Sequence, residues 1–281
     1  MPYNVVSCIA ALFFFSGESM KNILIIGGDK RSITAYNELK KQGFNVETKG
    51  LFTGDKGEIS DCDVILLPVP TSKDKKTVFC PLTDEIIPLS DIVKQAEKRL
   101  VISCGYDFSS ENSVDILTLD GYSYLNAVPT AEGAIAFAID KTPFTLWKAN
   151  VLVTGFGRVS KILCSRLKAF GCNITVSARK DRDFSLLDAL YTDYISTSDI
   201  CGKIKNYDII FNTLDVRLFE NPEILKGKYL FDLSSKGCLD FNAPRSTDIN
   251  AFKLPGIPGK TSPETAGKIL AMTAVKLIKE M

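Results

Sequence analysis

Histidine is absent from the 281 residues. Its absence removes imidazole acid–base catalysis, catalytic triads built on histidine, and metal sites of the Cys/His kind. Eight cysteines occur, none in a C-x-x-C pair, and Cys62 and Cys172 lie in apolar runs. They read as buried free thiols in a reducing compartment, and Cys104, before a glycine at a strand end, is the one placed to line a cleft. Charge of one sign is not in excess: 34 Lys+Arg stand against 33 Asp+Glu. That balance points to no nucleic acid and no membrane surface, so any anion site must be local. No apolar run reaches the ~20 residues that span a bilayer. "VVSCIAALFFFSG" (Val5–Gly17) has the length of a signal core, yet no Lys or Arg precedes it. Translation is expected to start at Met20, with residues 1–19 an upstream read-through; a signal peptide is the alternative.

What remains is a globular composition, 45% hydrophobic and 24% charged, long enough for two domains. Strands and helices alternate. "NILIIGG", "FNVET", "CDVILLPV" and "RLVISCG" read as strands, with helices over 30–42 and 89–98. "TSKDKKTVFCP" (Thr71–Pro81) reads as a polar, mobile loop. A helix capped by Thr130 follows, with Ala131, Ile135, Ala138 and Ile139 as its apolar stripe. "NVLVTG", "NITVSA", "YDIIFNT" and "YLFDLSS" are four further strands. Ser262 caps the closing helix, Pro263 opens it, and Ala266, Ile269, Leu270, Thr273 and Leu277 share one face. The fold class expected is α/β: two Rossmann-like parallel-sheet domains flanking a cleft. These are residues 20–127 and 147–281, joined by an interdomain helix over 128–146, and the second domain binds the dinucleotide.

That assignment rests on "VTGFGRVS" (Val153–Ser160), which reads G-x-G-x-x-S between a strand and a helix. Gly155 makes the tight turn, Gly157 lets a pyrophosphate approach, and Ser160 is the third small residue. Free N–H groups at the helix start, over Phe156, Arg158 and Val159, then hold the anion. Thr213, ending "YDIIFNT", is assigned to the same site. The second strand ends in Ser177, Ala178, Arg179 and Lys180 rather than in an acid. A hydroxyl and two cations suit a 2′-phosphate, so NADP is preferred and NAD is possible; a solvated loop is the alternative. In the first domain, "IIGGDKRS" (Ile25–Ser32) offers glycine N–H groups with Lys30 and Arg31 to a substrate carboxylate, or is an ordinary tight turn. "DLSSKGCLDF" (Asp232–Phe241) follows a strand end and offers Ser234, Ser235 and Lys236 as anion ligands. "LPGIPGKTSPETAG" (Leu254–Gly267) is a stiff loop, connector or site.

Together "VPTAEGAIAFAI", "VTGFGRVS", "DLSSKGCLDF" and "LPGIPGKTSPETAGKILA", with "IIGGDKR" and "DVILLPVP", resemble the dipicolinate synthase A-subunit of spore-forming bacteria. The resemblance covers about residues 21–281. It implies formation of dipicolinic acid from a dihydrodipicolinate-level intermediate of the lysine pathway, with hydride passing to the nicotinamide cofactor. It also implies a partner, the flavoprotein-like B-subunit of the synthase. Action in the cytoplasm of the sporulating mother cell and a fold similar to D-2-hydroxyacid dehydrogenases are implied as well. A homo-oligomer is compatible with it. The family's expected Arg-Pro-Gly-like run is here Lys236-Gly237-Cys238, and lysine lacks arginine's fork. For a ring dicarboxylate, Lys30/Arg31 and Ser235/Lys236 are the candidate anion partners. Without histidine, the proton acceptor must be a carboxylate, a lysine, a tyrosine or water. Glu132 is the first choice, and Asp232 reads as structural. Two alternatives stand beside this reading. One is a non-catalytic scaffold that binds NADP. The other is an NAD(P)-dependent D-2-hydroxyacid dehydrogenase, an enzyme type that generally relies on histidine.

Overall fold

The computed structural model describes residues 21–280 apart from 56, 60, 61, 191 and 244–247, so the expectation for residues 1–19 lies outside the described residues. The chain forms two compact units. One holds the described residues up to Ser123 together with the segment from Pro263; the other is Tyr124–Ser262.

In the first unit, β1 (Asn22–Ile26), α1 (Lys30–Lys41), β2 (Asn45–Lys49), β3 (Val64–Leu66), α2 (Leu89–Val93), β4 (Leu100–Ser103) and β5 (Ser113–Asp115) build a parallel sheet of order β2-β1-β3-β4-β5. Its central strands are buried on both faces, as their unbroken apolar runs require. α3 (Asp120–Lys141) leads out of this unit. The second unit contains β6 (Asn150–Thr154), α4 (Arg158–Ala169), β7 (Asn173–Ala178), α5 (Asp181–Ala189), β8 (Asp193–Ser196), α6 (Ile200–Lys203), β9 (Ile209–Asn212), β10 (Tyr229–Asp232), β11 (Asn250–Lys253) and α7 (Ile257–Thr261). Its sheet is parallel throughout, in the order β11-β10-β9-β6-β7-β8. Counted from β6, this is the 3-2-1-4-5-6 order of dinucleotide-binding sheets. The order reverses between β6 and β9, so the crevice for a ligand opens beyond Thr154 and Asn212. Under the sheet, the Phe211 and Phe231 rings stack with centroids 5.4 Å apart.

α8 (Pro263–Lys279) follows the second unit in sequence but packs on α1 of the first. A Cβ on Gly267 would lie 2.5 Å from both Arg31 O and Thr34 Cβ, so glycine permits the close crossing of these helices. Ala266, Ile269, Leu270 and Thr273 are buried on the face expected for them. α3 differs from its expectation. It starts at Asp120, and Pro129 lies inside it. Thr130 is therefore not its cap; its hydroxyl donates to Asn126 O at 2.7 Å, one turn back. Ile139 is not in the buried stripe, being 52% exposed. α2 ends at Val93, short of the expected 98. Thr71–Pro81 is not a loose loop: Phe79 N–H donates to Thr71 O and Val78 N–H to Ile87 O, each at 2.9 Å. Within it, Asp74 accepts from Ser72 Oγ, from the Lys76 and Thr77 N–H groups, and from Thr77 Oγ1.

Candidate functional site

β6 delivers the chain into a turn that only glycine can make. Gly155 has φ +85°, and a Cβ there would lie 2.7 Å from Leu214 Cδ2. Its N–H donates to Ser177 Oγ at 3.0 Å. Gly157 then stands at the N-cap of α4 in an extended conformation and, as a glycine, brings no side chain to cap the first turn. A Cβ on Gly157 would meet nothing within 4 Å. α4 thus begins behind an open glycine that carries no capping side chain, an arrangement that suits a pyrophosphate. Arg158 and Val159 begin the helix, half-buried. Ser160 is fully buried, and its hydroxyl donates to Gly157 O at 3.0 Å. Lys161 Nζ sits 5.0 Å over the Phe156 ring. These residues fit a nicotinamide dinucleotide.

At the end of β7, Ser177 is fully buried and accepts the Gly155 N–H, so its hydroxyl braces the turn and is not a phosphate ligand. Arg179 and Lys180 are exposed beyond it, and no acid stands at positions 177–180.

A buried polar ladder crosses the C-terminal ends of β6, β9 and β10. Thr154 Oγ1 donates to Asn212 Oδ1 at 2.5 Å, and Asn212 Nδ2 donates to Asp232 Oδ1 at 2.8 Å. Asp232 also accepts from Ser234 N–H and Oγ, at 3.0 and 2.7 Å, and from Cys238 N–H at 2.7 Å. This gives Asp232 the structural role expected of it and turns Ser234 inward. Burial, and then the neighbouring Asp232 carboxylate, push the Cys238 thiol pKa up. Thr213 directs its hydroxyl to Thr154 O at 2.7 Å, alongside the ladder. Beyond it, Ser235 and Lys236 are exposed. Their backbone N–H groups donate to Asp215 Oδ1 at 2.7 and 3.2 Å, and Ser235 Oγ donates to Oδ2 at 3.3 Å. Asp215 is not among the expected site residues; its signal in the sequence is an acid three positions past a buried strand end.

The first unit corrects three expectations. The glycine N–H groups of its turn are not free: Gly27 donates to Lys49 O and Gly28 to Phe79 O, both at 2.8 Å. Arg31 is not free either. Its guanidinium pairs with Asp29 at 2.8 Å, also donates to Val69 O, and has a side chain only 7% exposed. Burial alone would raise the Asp29 pKa, but the hydrogen bonds and charge of Arg31 hold it below its ordinary value. Arg31 braces the turn, and Lys30 next to it is exposed. Cys104 is not exposed at a cleft surface but buried, at 1% exposure, and burial pushes its pKa to about 12.

Glu132 is also displaced from its expected place. It is exposed and pairs with Arg166 Nε at 3.3 Å. Arg166 lies in the last turn of α4, roughly 12 Å along the helix from its glycine-capped start. Glu132 is thus held toward the end of α4 away from the nucleotide turn. In the Leu254–Gly267 stretch, α7 buries Ile257 and Pro258, and a Cβ on Gly133 of α3 would lie 2.5 Å from Thr261 Oγ1, as in a rigid connector. Among the described residues no group of three or more Cys, Asp or Glu is placed to hold a metal ion, and no helix is long and apolar enough to cross a membrane.

Residues 22–110 match the family model for the N-terminal domain of the dipicolinate synthase A-subunit. The A-subunit of dipicolinate synthase from Bacillus subtilis is 27% identical over 288 residues, covering 92% of this chain and 96% of that protein. The crystal structure of its counterpart from Bacillus halodurans superposes with a TM-score of 0.81 at 28% identity, covering 92% of this chain and 99% of the other. D-lactate dehydrogenase from Escherichia coli shares the fold at a TM-score of 0.54 and 12% identity, over 91% of this chain and 95% of its own. The chain is thus similar to the dipicolinate synthase A-subunit over most of its length, and its two parallel-sheet α/β domains share the fold of D-2-hydroxyacid dehydrogenases.

Proposed function

We propose that this chain is an NADP-dependent oxidoreductase that oxidises a dihydrodipicolinate-level intermediate to dipicolinate. The observation that carries the reading is the open glycine turn Gly155–Gly157, without a capping side chain, at the reversal point of a 3-2-1-4-5-6 sheet. A bound nicotinamide dinucleotide would supply the hydride-accepting ring. The α4 N–H groups near Arg158 and Val159 hold its pyrophosphate. Arg179 and Lys180 meet the 2′-phosphate that distinguishes NADP from NAD. Ser235 and Lys236 neutralise a carboxylate of the substrate, and Lys30 is the first unit's candidate for an anionic group. Oxidation removes a hydride and a proton and leaves an aromatic ring. That step is strongly downhill, so water serves as proton acceptor and the chain acts mainly by positioning.

The name of the relatives suggests a complex. A flavoprotein-like B-subunit, in the cytoplasm of a sporulating mother cell, belongs to the proposal. A second reading, an NADP-binding scaffold without catalysis of its own, is favoured by the distance of Glu132 from the nucleotide turn. The test is incubation with NADP⁺ and enzymatically generated hydroxytetrahydrodipicolinate, with and without the flavoprotein-like partner. Ultraviolet absorbance of dipicolinate is expected with the chain present. No dipicolinate under either condition overturns the enzyme reading and leaves the scaffold.

A further inference from the structure

The loop after β10 already holds a carboxylate, and that carboxylate is the chain's own. Three donors converge on Asp215: the N–H groups of Ser235 and Lys236 at 2.7 and 3.2 Å, and the Ser235 hydroxyl at 3.3 Å. Consecutive backbone N–H groups aimed at one anion form an anion-binding nest.

Positive charge reinforces it. Lys236 belongs to the nest, and Lys253 Nζ reaches Lys236 O at 3.5 Å.

Asp215 is not needed to shape this loop. Asp232 accepts from Ser234 and Cys238 behind the nest, and Ser234 Oγ accepts from Gly237 N–H at 3.1 Å, all among buried groups. The donors are therefore preorganised from within. Asp215 reaches them from a different loop, the one after β9, and is exposed to solvent. It can leave for water without stranding a buried charge, and its departure opens three donors suited to one planar carboxylate.

From this we infer that Ser235–Lys236 is a carboxylate subsite and that Asp215 is its internal occupant, displaced when a ligand carboxylate binds. The inference rests on the proposed role of Ser235 and Lys236 and adds the residue that sets their affinity. Asp215 acts as a built-in competitor. A ring carboxylate enters only by replacing it, so weaker carboxylate ligands are turned away. If the nest is vacant about a tenth of the time, the apparent affinity is reduced about tenfold.

The experiment is calorimetric titration of the full chain with dipicolinate, and separately with picolinate, comparing wild type with Asp215→Ala and Lys236→Ala. Asp215→Ala is expected to bind dipicolinate about tenfold more tightly, and Lys236→Ala more weakly than wild type. Unchanged or weakened binding by Asp215→Ala, with Lys236→Ala still impaired, overturns the occupant role and leaves the subsite standing. Wild-type binding by Lys236→Glu, which keeps the backbone N–H groups but sets a like charge beside the nest, overturns the subsite itself. If Asp215→Ala does not fold, Asp215→Asn keeps the shape without the charge and is expected to tighten binding at least about threefold; no gain there overturns the proposal.

Discussion

Ser177 and Gly155 are joined by one hydrogen bond, the Gly155 N–H donating to Ser177 Oγ at 3.0 Å where β6 and β7 run side by side. The residue expected to touch the cofactor's ribose phosphate instead supports the glycine turn proposed for the pyrophosphate. Ser177→Ala leaves a buried N–H without a partner, which costs about 1–3 kcal/mol. Thermal unfolding should fall accordingly. NADP⁺ and NAD⁺ affinities should weaken by similar factors, because the hydroxyl supports both; a selective loss of NADP⁺ would put Ser177 back in the phosphate site.

The proposed preference for NADP rests on Arg179 and Lys180. Arg179→Asp replaces a cation with an acid able to bond a ribose hydroxyl. Charge-assisted hydrogen bonds contribute about 1.5–3 kcal/mol, so the NADP⁺/NAD⁺ preference should shift about ten- to a hundredfold toward NAD⁺. Unchanged ratios in parallel titrations would show these side chains to be a solvated loop.

Glu132 supplies a test of catalysis. As an exposed partner of Arg166 it contributes less than about 1 kcal/mol. Glu132→Gln should fold with nearly wild-type stability and retain its kcat. A loss of about a hundredfold or more is what removal of a general base produces, and would return Glu132 to that role.

The parts of the fold that could be read along the chain are those whose cause is local. β1, β6, β7 and β9 are apolar runs, and glycines mark the turns after β1 and β6. Short polar strands were hidden. "SVD" (β5), "DYIS" (β8) and "NAFK" (β11) are strands because a neighbour pairs with them. The first ten residues of α3 were hidden by Gly121 and Pro129, two helix breakers that packing overrides. In the site, the glycine turn was legible because its chemistry lies within six residues. The ladder was not: Thr154 and Asn212 are 58 positions apart and Asn212 and Asp232 are 20 apart. Nor could the chain order reveal that Lys49 and Phe79 occupy the N–H groups of Gly27 and Gly28.

The Asp29–Arg31 pair predicts a pH response. The folded Asp29 pKa lies below its ordinary 3.8. The stability it contributes is therefore fully present above that value and is lost as pH falls through the lower, folded value. Urea midpoints measured from pH 6 down to pH 3 should show this loss in wild type. Arg31→Met should be less stable at pH 6 and lose less on acidification; equal acid sensitivity would mean the pair does not set the Asp29 pKa.

The most direct test of the account is Gly157→Val. Gly157 has ordinary backbone angles and open space where a Cβ would stand, so the variant should unfold at nearly the wild-type temperature. The added side chain would fill the place a pyrophosphate must occupy. Fluorescence titration with NADPH should show binding weakened at least about a hundredfold, the loss of roughly 2.7 kcal/mol. Wild-type NADPH affinity in a folded Gly157→Val protein would contradict the account, because the dinucleotide would then bind elsewhere.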